Sequence, residues 1–235
     1  MWFIMKSRTD RALMKQILEC RKCTQSNNVK KYIPNCKPVC CFGDPFDKNG
    51  NAKKVFVIGI NPSEAEYTRR YLENDPERAL ESQLDYFDKE PYRFFNELAR
   101  FFDDNEVKTR LNVERSIWDK VGCLDLVKCV TRTTKGKQWN DLRPSEKNTI
   151  LKNCENFLEE QLSRYKPKLI VAYGKDVGKW FGIQRFESEE FDFISNPRRL
   201  PFEYRAIYVP QRQGKHSRPE VNEVKAKIRE ALSSI

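Results

Sequence analysis

Four short apolar runs, each closed by polar, turn-forming or ionisable residues, restrict the architectures open to this 235-residue chain. They are Val55-Phe-Val-Ile-Gly-Ile-Asn-Pro-Ser63, Gly122-Cys-Leu-Asp-Leu-Val-Lys128, Lys168-Leu-Ile-Val-Ala-Tyr-Gly174 and Arg205-Ala-Ile-Tyr-Val-Pro210. Runs with so little alternation suit strands covered on both faces, as in a parallel sheet. The stretches between them read as helices. Leu13, Met14, Ile17 and Leu18 predict a short amphipathic helix over Ala12 to Cys20. Ile150, Leu151, Phe157, Leu158 and Leu162 recur at helical intervals over Pro144 to Tyr165, a span too long for a strand. Further helices are expected over Pro76 to Asp88, Pro91 to Asp103, Gly174 to Phe181 and Pro219 to Leu232. Ser63 followed by Glu64 and Glu66 reads as a helix start. Residues 24 to 54 look irregular, with Val39 to Phe42 extended. Strands alternating with helices imply an α/β fold of three layers, α/β/α, around a central four-stranded parallel sheet with ligands at the carboxyl ends of the strands. With no Gly/Ser-rich or Pro-rich linker, residues 1–235 are expected to form one domain.

Lys and Arg outnumber Asp and Glu by 44 to 34, a formal charge of +10. Such a surplus points toward a polyanion such as nucleic acid, although a basic soluble protein without that role fits the charge equally well. No run approaches the roughly 20 apolar residues of a membrane span. Met1-Trp-Phe-Ile-Met5 is too short for a signal-peptide core and has no basic region before it, so a cytoplasmic location without membrane contact is expected.

The eight cysteines, without a secretion signal, suggest a metal or cluster rather than a disulfide framework. Cys20, Cys23, Cys36 and Cys40 or Cys41 have the local, paired spacing of a structural zinc site. The one histidine, His216, follows the fourth apolar run and precedes the last helical stretch. It is a catalytic candidate on that placement, against the plainer reading of a solvated loop residue.

Four segments in order, Gly59-Ile-Asn-Pro-Ser-Glu64, Leu126-Val-Lys-Cys129, Phe157-Leu-Glu-Glu-Gln-Leu162 leading into Lys166-Pro-Lys-Leu-Ile-Val-Ala-Tyr-Gly174, and Lys215-His-Ser217, resemble the uracil-DNA glycosylase superfamily. The resemblance runs from about Cys20 to His216 and is closest to the iron-sulfur, family 4-like branch. It implies a DNA glycosylase that flips uracil or another deaminated base out of the helix, hydrolyses its N-glycosidic bond and leaves an abasic site in base excision repair. Asn61 would then position the attacking water without acting as a general base, since an amide cannot take the proton. The Gly-Ile-Asn-Pro form of this motif is more similar to the mismatch-specific branch than to family 4. Gly59, Ile60 and Pro62 would border the base, and His216 would donate a hydrogen bond to O2 of the departing uracil. Asp125 stands where the family reads the base with Asn. An ionised Asp only accepts hydrogen bonds, so the position brings uracil specificity into question and opens hypoxanthine or xanthine as substrates.

The same resemblance implies an aromatic stacked on the flipped base, assigned here to Phe87 from among Tyr86, Phe87, Phe94 and Phe95. It implies DNA contacts from Ser217 and Arg218, in a His-Ser-Arg-Pro segment where the family has His-Pro-Ser. Cys20, Cys23, Cys129 and Cys154 match its 4Fe-4S ligand order, with structural zinc as the alternative. The gap from Cys129 to Cys154 is wider than usual there, consistent with an insertion over Thr131 to Asp141 that carries Lys135, Lys137 and Trp139. A monomer acting on DNA, cytoplasmic and nucleoid-associated, is the expectation. The alternative is a non-catalytic iron-sulfur or zinc nucleic-acid-binding protein that keeps the fold.

Overall fold

The computed structural model describes residues 8–27, 29–30, 38–62, 75–88, 91–131, 139–183, 191–194, 197–211 and 216–234. Its sheet contains β1 (Val55–Gly59), β2 (Val121–Asp125), β3 (Leu169–Tyr173), β4 (Asp192–Phe193) and β5 (Arg205–Val209), in the order β2-β1-β3-β5-β4. The four strands expected from the apolar runs are all parallel. The two-residue β4 adds an antiparallel edge, pairing Asp192 with Tyr208 and Phe193 with Ile207. A strand this short carries no periodic signal that a sequence pattern could reveal.

Along each parallel strand the side chains alternate between two cores. On one face Val55, Val57, Val121, Cys123, Leu169, Val171 and Tyr173 pack with Phe95, Phe101, Phe102, Val107, Val224 and Ile228. On the other face Phe56, Ile58, Leu124, Ile170, Ala172 and Tyr208 pack with Leu13, Ile17, Leu80, Phe157, Leu158 and Leu162. The α-helices among the described residues are α1 (Arg8–Leu18), α2 (Lys22–Gln25), α3 (Pro76–Leu84), α4 (Arg93–Ala99), α5 (Asn105–Arg110), α6 (Pro144–Tyr165), α7 (Lys175–Trp180) and α8 (Arg218–Ser233). Helices on both faces of a mostly parallel sheet make the three-layer α/β/α fold.

Helix boundaries follow local chemistry. Asp75 caps α3 by accepting from the Glu77 N–H, with Pro76 in the first turn, and Ser217 and Glu220 form a capping box at the start of α8. Tyr165 is followed by Lys166 in the left-handed region (φ 47°), which ends α6 where the sequence placed its end. Two predicted helices are shorter than expected. The stretch to Asp88 ends its α-helix at Leu84 and continues as a tight 3-10 turn, Tyr86–Asp88, and the stretch to Asp103 ends at Ala99 before a second 3-10 turn, Arg100–Phe102. The short helices α2 and α5 fall below the length at which periodicity is readable. The helix start at Ser63, the lysines Lys135 and Lys137, Cys36 and Lys215 lie outside the described residues.

Residues before β1 close one edge of the molecule. The Val39 N–H donates to the Lys128 carbonyl at 2.7 Å and the Phe42 N–H to the Cys123 carbonyl at 3.0 Å, so this extended segment runs alongside β2. Gly122 lies opposite Phe56, whose ring stacks on Tyr165 at 5.5 Å and 5°. A β-carbon on Gly122 would come within 2.3 Å of the Phe56 ring. Gly122→Val is therefore expected to lower stability by roughly 1–3 kcal/mol through overpacking. Urea unfolding of the two proteins would show it as a lower midpoint at unchanged slope.

Candidate active site

The carboxyl ends of β1, β2 and β3 open into a cavity of about 230 Å³. That is below the roughly 300–1,000 Å³ of drug-sized ligand sites and is suited to a single small ring system. Its floor comes from Gly59, Ile60, Asn61 and Pro62 after β1 and from Cys123 to Asp125 on β2, with Tyr173 closing β3. Phe42, Tyr92, Phe94 and Phe95 wall one side, and Thr131 and Trp139 border it as well. Ladder bonds carry the first two strand ends level with each other: the Leu126 N–H donates to the Gly59 carbonyl at 2.9 Å and the Val127 N–H to the Ile60 carbonyl at 2.8 Å.

Asn61 is half-buried, and its amide donates to the Pro62 carbonyl at 3.1 Å and to the Thr131 hydroxyl at 3.3 Å. Both donor hydrogens are thereby directed within the protein. Its carbonyl oxygen is the group left to accept a hydrogen bond, the right polarity for holding a water.

Asp125 is 8% exposed and lies against Gly59. A β-carbon on Gly59 would stand 2.5 Å from Asp125 Oδ1, so only glycine leaves the carboxyl its place. Asp125 Oδ2 is buried with no hydrogen-bond partner among the described residues. Lys128, also buried, donates through Nζ to the Asp125 backbone carbonyl at 2.5 Å and not to its carboxyl. Burial raises the Asp125 carboxyl from its ordinary 3.8 to about 7, against the pull of Lys128. At neutral pH it is therefore divided between a neutral form, which offers one donor and one acceptor, and an acceptor-only anion.

His216 lies beside the cavity, not on its lining. The residue is 4% exposed, its ring seated against Phe101 at 5.2 Å and Phe191 at 5.8 Å between centroids. Nε2 stands 3.5 Å from Tyr173 Oη, and Arg100, itself bonded to Glu97 at 2.6 Å, donates to the His216 carbonyl at 3.3 Å. Tyr173, whose hydroxyl His216 meets, is itself on the cavity lining. Ser217 and Arg218 are exposed and also off the lining, with Ser217 occupied in capping α8.

Phe87 faces away from the cavity. It stacks on Trp118 at 4.5 Å and 6° and covers Gly43, where a β-carbon would come within 2.4 Å of its ring. Phe94, from the same group of aromatics, does line the cavity and meets Tyr173 edge-on at 5.4 Å. Phe87 lies in the 3-10 turn Tyr86–Asp88 and belongs to the aromatic core, whereas Phe94 lies on α4.

Three of the four expected cluster cysteines converge. Cys23, Cys129 and Cys154 share a small apolar cluster with Val29, Val127, Trp139, Leu142 and Ile150. Contact with Cys154 lowers the Cys23 thiol to about 7 against the effect of burial, helped by the Asn153 amide, which donates to Cys23 Sγ at 3.3 Å. Cys20 is half-buried and packs instead toward the core beneath α1, and Cys129 is in a disulfide. Among the described residues no group of three or more His, Cys, Asp or Glu side chains has metal-binding geometry. Cys40 and Cys41, the other zinc candidates, are buried beside Gln83, with Cys40 Sγ 3.0 Å from its Oε1. Trp139 connects the thiol cluster to the cavity, since it belongs to the first and borders the second, and its indole N–H donates to Asp176 at 2.7 Å. Thr131 and Trp139 join the cavity lining from the stretch expected to be an insertion, where no sequence motif marks them as site residues.

A family model for the uracil DNA glycosylase superfamily matches residues 47–232, which takes in all five strands and every cavity residue named above except Phe42. The chain belongs to the uracil-DNA glycosylase superfamily. No curated protein matches it. Membership supports a glycosylase-like hydrolase that acts on DNA, and among the described residues no helix is long and apolar enough to cross a membrane.

The buried carboxyl gives a stability test. A carboxyl raised in the folded state contributes stability that is present below its unfolded pKa and is lost as pH rises through about 7. Replacing it by an amide removes that loss. Asp125→Asn is expected to gain stability over wild type between about pH 4 and pH 8, on the order of 4 kcal/mol for a shift of roughly three units. Urea denaturation at the two pH values measures the difference, and equal responses of the two proteins would contradict a raised carboxyl.

Proposed function

We propose that this protein is a DNA glycosylase that removes uracil or another deaminated base from DNA, leaving an abasic site. The observation that carries the reading is the cavity of about 230 Å³ at the strand ends, which presents Asn61, a buried unpartnered Asp125 oxygen and the ring of Phe94 to one enclosed space. A flipped base would enter with its face against Phe94 and its polar edge on Asp125. Asn61 would hold the water that attacks the sugar carbon as the base departs with the bonding electrons.

The protonation state of Asp125 would set the edge that is read. In the neutral form the carboxyl donates to O4 and accepts from N3–H of uracil, as an amide does. The anion only accepts, which leaves O4 unmatched. Uracil excision should therefore decline above about pH 7, and Asp125→Asn should flatten that decline.

Within the superfamily we assign the chain to the iron-sulfur, family 4-like branch, with Cys20, Cys23, Cys129 and Cys154 as ligands of a 4Fe-4S cluster. Support comes from the convergence of Cys23, Cys129 and Cys154 in one apolar cluster, a soft thiol donor set. Binding requires the Cys129 disulfide to be reduced and the turn bearing Cys20 to swing inward. The cluster would be structural, holding α2 against α6 and supporting Trp139 at the cavity edge. Protein purified without oxygen is expected to be brown and to contain about four irons with matching acid-labile sulfide per chain. A colourless protein with one bound zinc would contradict the assignment.

The second reading, a nucleic-acid-binding protein without chemistry, draws on the position of His216 off the cavity lining. Excision from oligonucleotides carrying uracil, hypoxanthine, xanthine or a G·T mismatch, scored by alkaline cleavage at abasic sites, separates the two. Release of one base, reduced about 100-fold or more by Asn61→Ala, is the expected result. Salt-sensitive DNA binding with no release across the panel would favour the second reading.

A further inference from the structure

His216, to which the resemblance gives a catalytic role, is off the cavity lining, and the phenol of Tyr173 beside it is on that lining. Tyr173 ends β3 on the cavity wall, with its ring held edge-on by Phe94 at 5.4 Å and Oη 3.5 Å from His216 Nε2. His216 is itself fixed from three sides, by Phe101, by Phe191 and by Arg100 at its carbonyl. We propose that Tyr173 is the catalytic residue that meets the leaving base in this protein and that His216 is its positioning residue. The proposal rests on the glycosylase reading.

In this arrangement His216 donates from Nε2–H to a lone pair of the phenol oxygen, which turns the Tyr173 O–H into the cavity. There it donates to the base oxygen on which negative charge builds. The C1′–N bond breaks and its electron pair leaves with the base. Water held by Asn61 adds its oxygen to C1′ and releases a proton to solvent, and the base anion later takes up a proton from solvent. Tyr173 keeps its proton throughout. Burial supports this role by raising the phenol to about 12, so it remains a donor across the working pH range. A chain of two such bonds, His216 to Tyr173 to base, strengthens each link.

The test is a double-mutant cycle on wild type, Tyr173→Phe, His216→Ala and the double variant. It compares single-turnover excision on the best substrate of the panel, with DNA affinity and melting temperature measured alongside. Tyr173→Phe keeps the ring and loses only the hydroxyl. It is expected to lower the rate about 100-fold, the usual cost of one leaving-group donor, with affinity and melting temperature unchanged. His216→Ala should cost a similar factor, the double variant should be no slower than Tyr173→Phe, and His216→Gln, whose amide N–H can replace Nε2–H, should recover part of the loss. A Tyr173→Phe rate within twofold of wild type, or two effects that multiply in the double variant, would overturn the proposal while leaving the glycosylase reading intact. If wild-type protein releases no base, the reading fails and the proposal falls with it.

Discussion

The closeness of Gly59 to Asp125 governs the site. Parallel pairing puts these two residues side by side at the ends of β1 and β2, and the carboxyl occupies space that any β-carbon at position 59 would fill. A carboxyl is thereby held in an apolar recess with one oxygen unpartnered, an arrangement that would be costly unless a ligand completes it. The buried Lys128 bonds the backbone of Asp125 and so leaves the carboxyl free to face the cavity. Strand register, glycine and lysine together leave a carboxyl with hydrogen-bonding capacity at the strand ends, on the cavity lining.

The rest of the molecule holds that recess in shape. The two cores on either side of the sheet fix the heights of β1, β2 and β3, and the aromatic group around Phe42, Tyr86, Phe87, Phe95 and Trp118 supports the wall from which Phe94 projects. On the opposite rim, the cluster containing Cys23, Cys129 and Cys154 supports Trp139. The thiol region thus acts on the cavity through packing. Binding of a cluster or metal there would stabilise the rim in the way any ligand of the native state does.

Much of this was legible in the sequence because buried parallel strands are written as unbroken apolar runs. Val55 to Gly59, Leu169 to Tyr173 and the long amphipathic span from Pro144 to Tyr165 emerged at or near their observed limits, and Gly59, Ile60, Asn61, Pro62 and Asp125 meet at one cavity because they close such runs. What the pattern could not supply was orientation away from regular elements. Phe87 and Phe94 look equivalent as aromatics in one stretch, yet Phe94 lines the cavity while Phe87 packs on Trp118. His216 was conspicuous as the only histidine, yet its burial behind Tyr173 depends on Phe101, Phe191 and Arg100, residues distant in sequence. Cys129 shows the same limit, since spacing proposes ligands but does not reveal whether a sulfur is a free thiol or in a disulfide.

On the proposed function, the recess between Asp125 and Phe94 receives a base turned out of DNA. A crystal structure of the protein on duplex DNA carrying 2′-fluoro-2′-deoxyuridine, whose glycosidic bond resists cleavage, tests it most directly. The expected result is the uracil outside the helix and within the cavity, its polar edge on Asp125, with Asn61 beside C1′ and Tyr173 Oη directed at O2. A uracil still stacked in the duplex, or DNA bound on another face with the cavity empty, would contradict it.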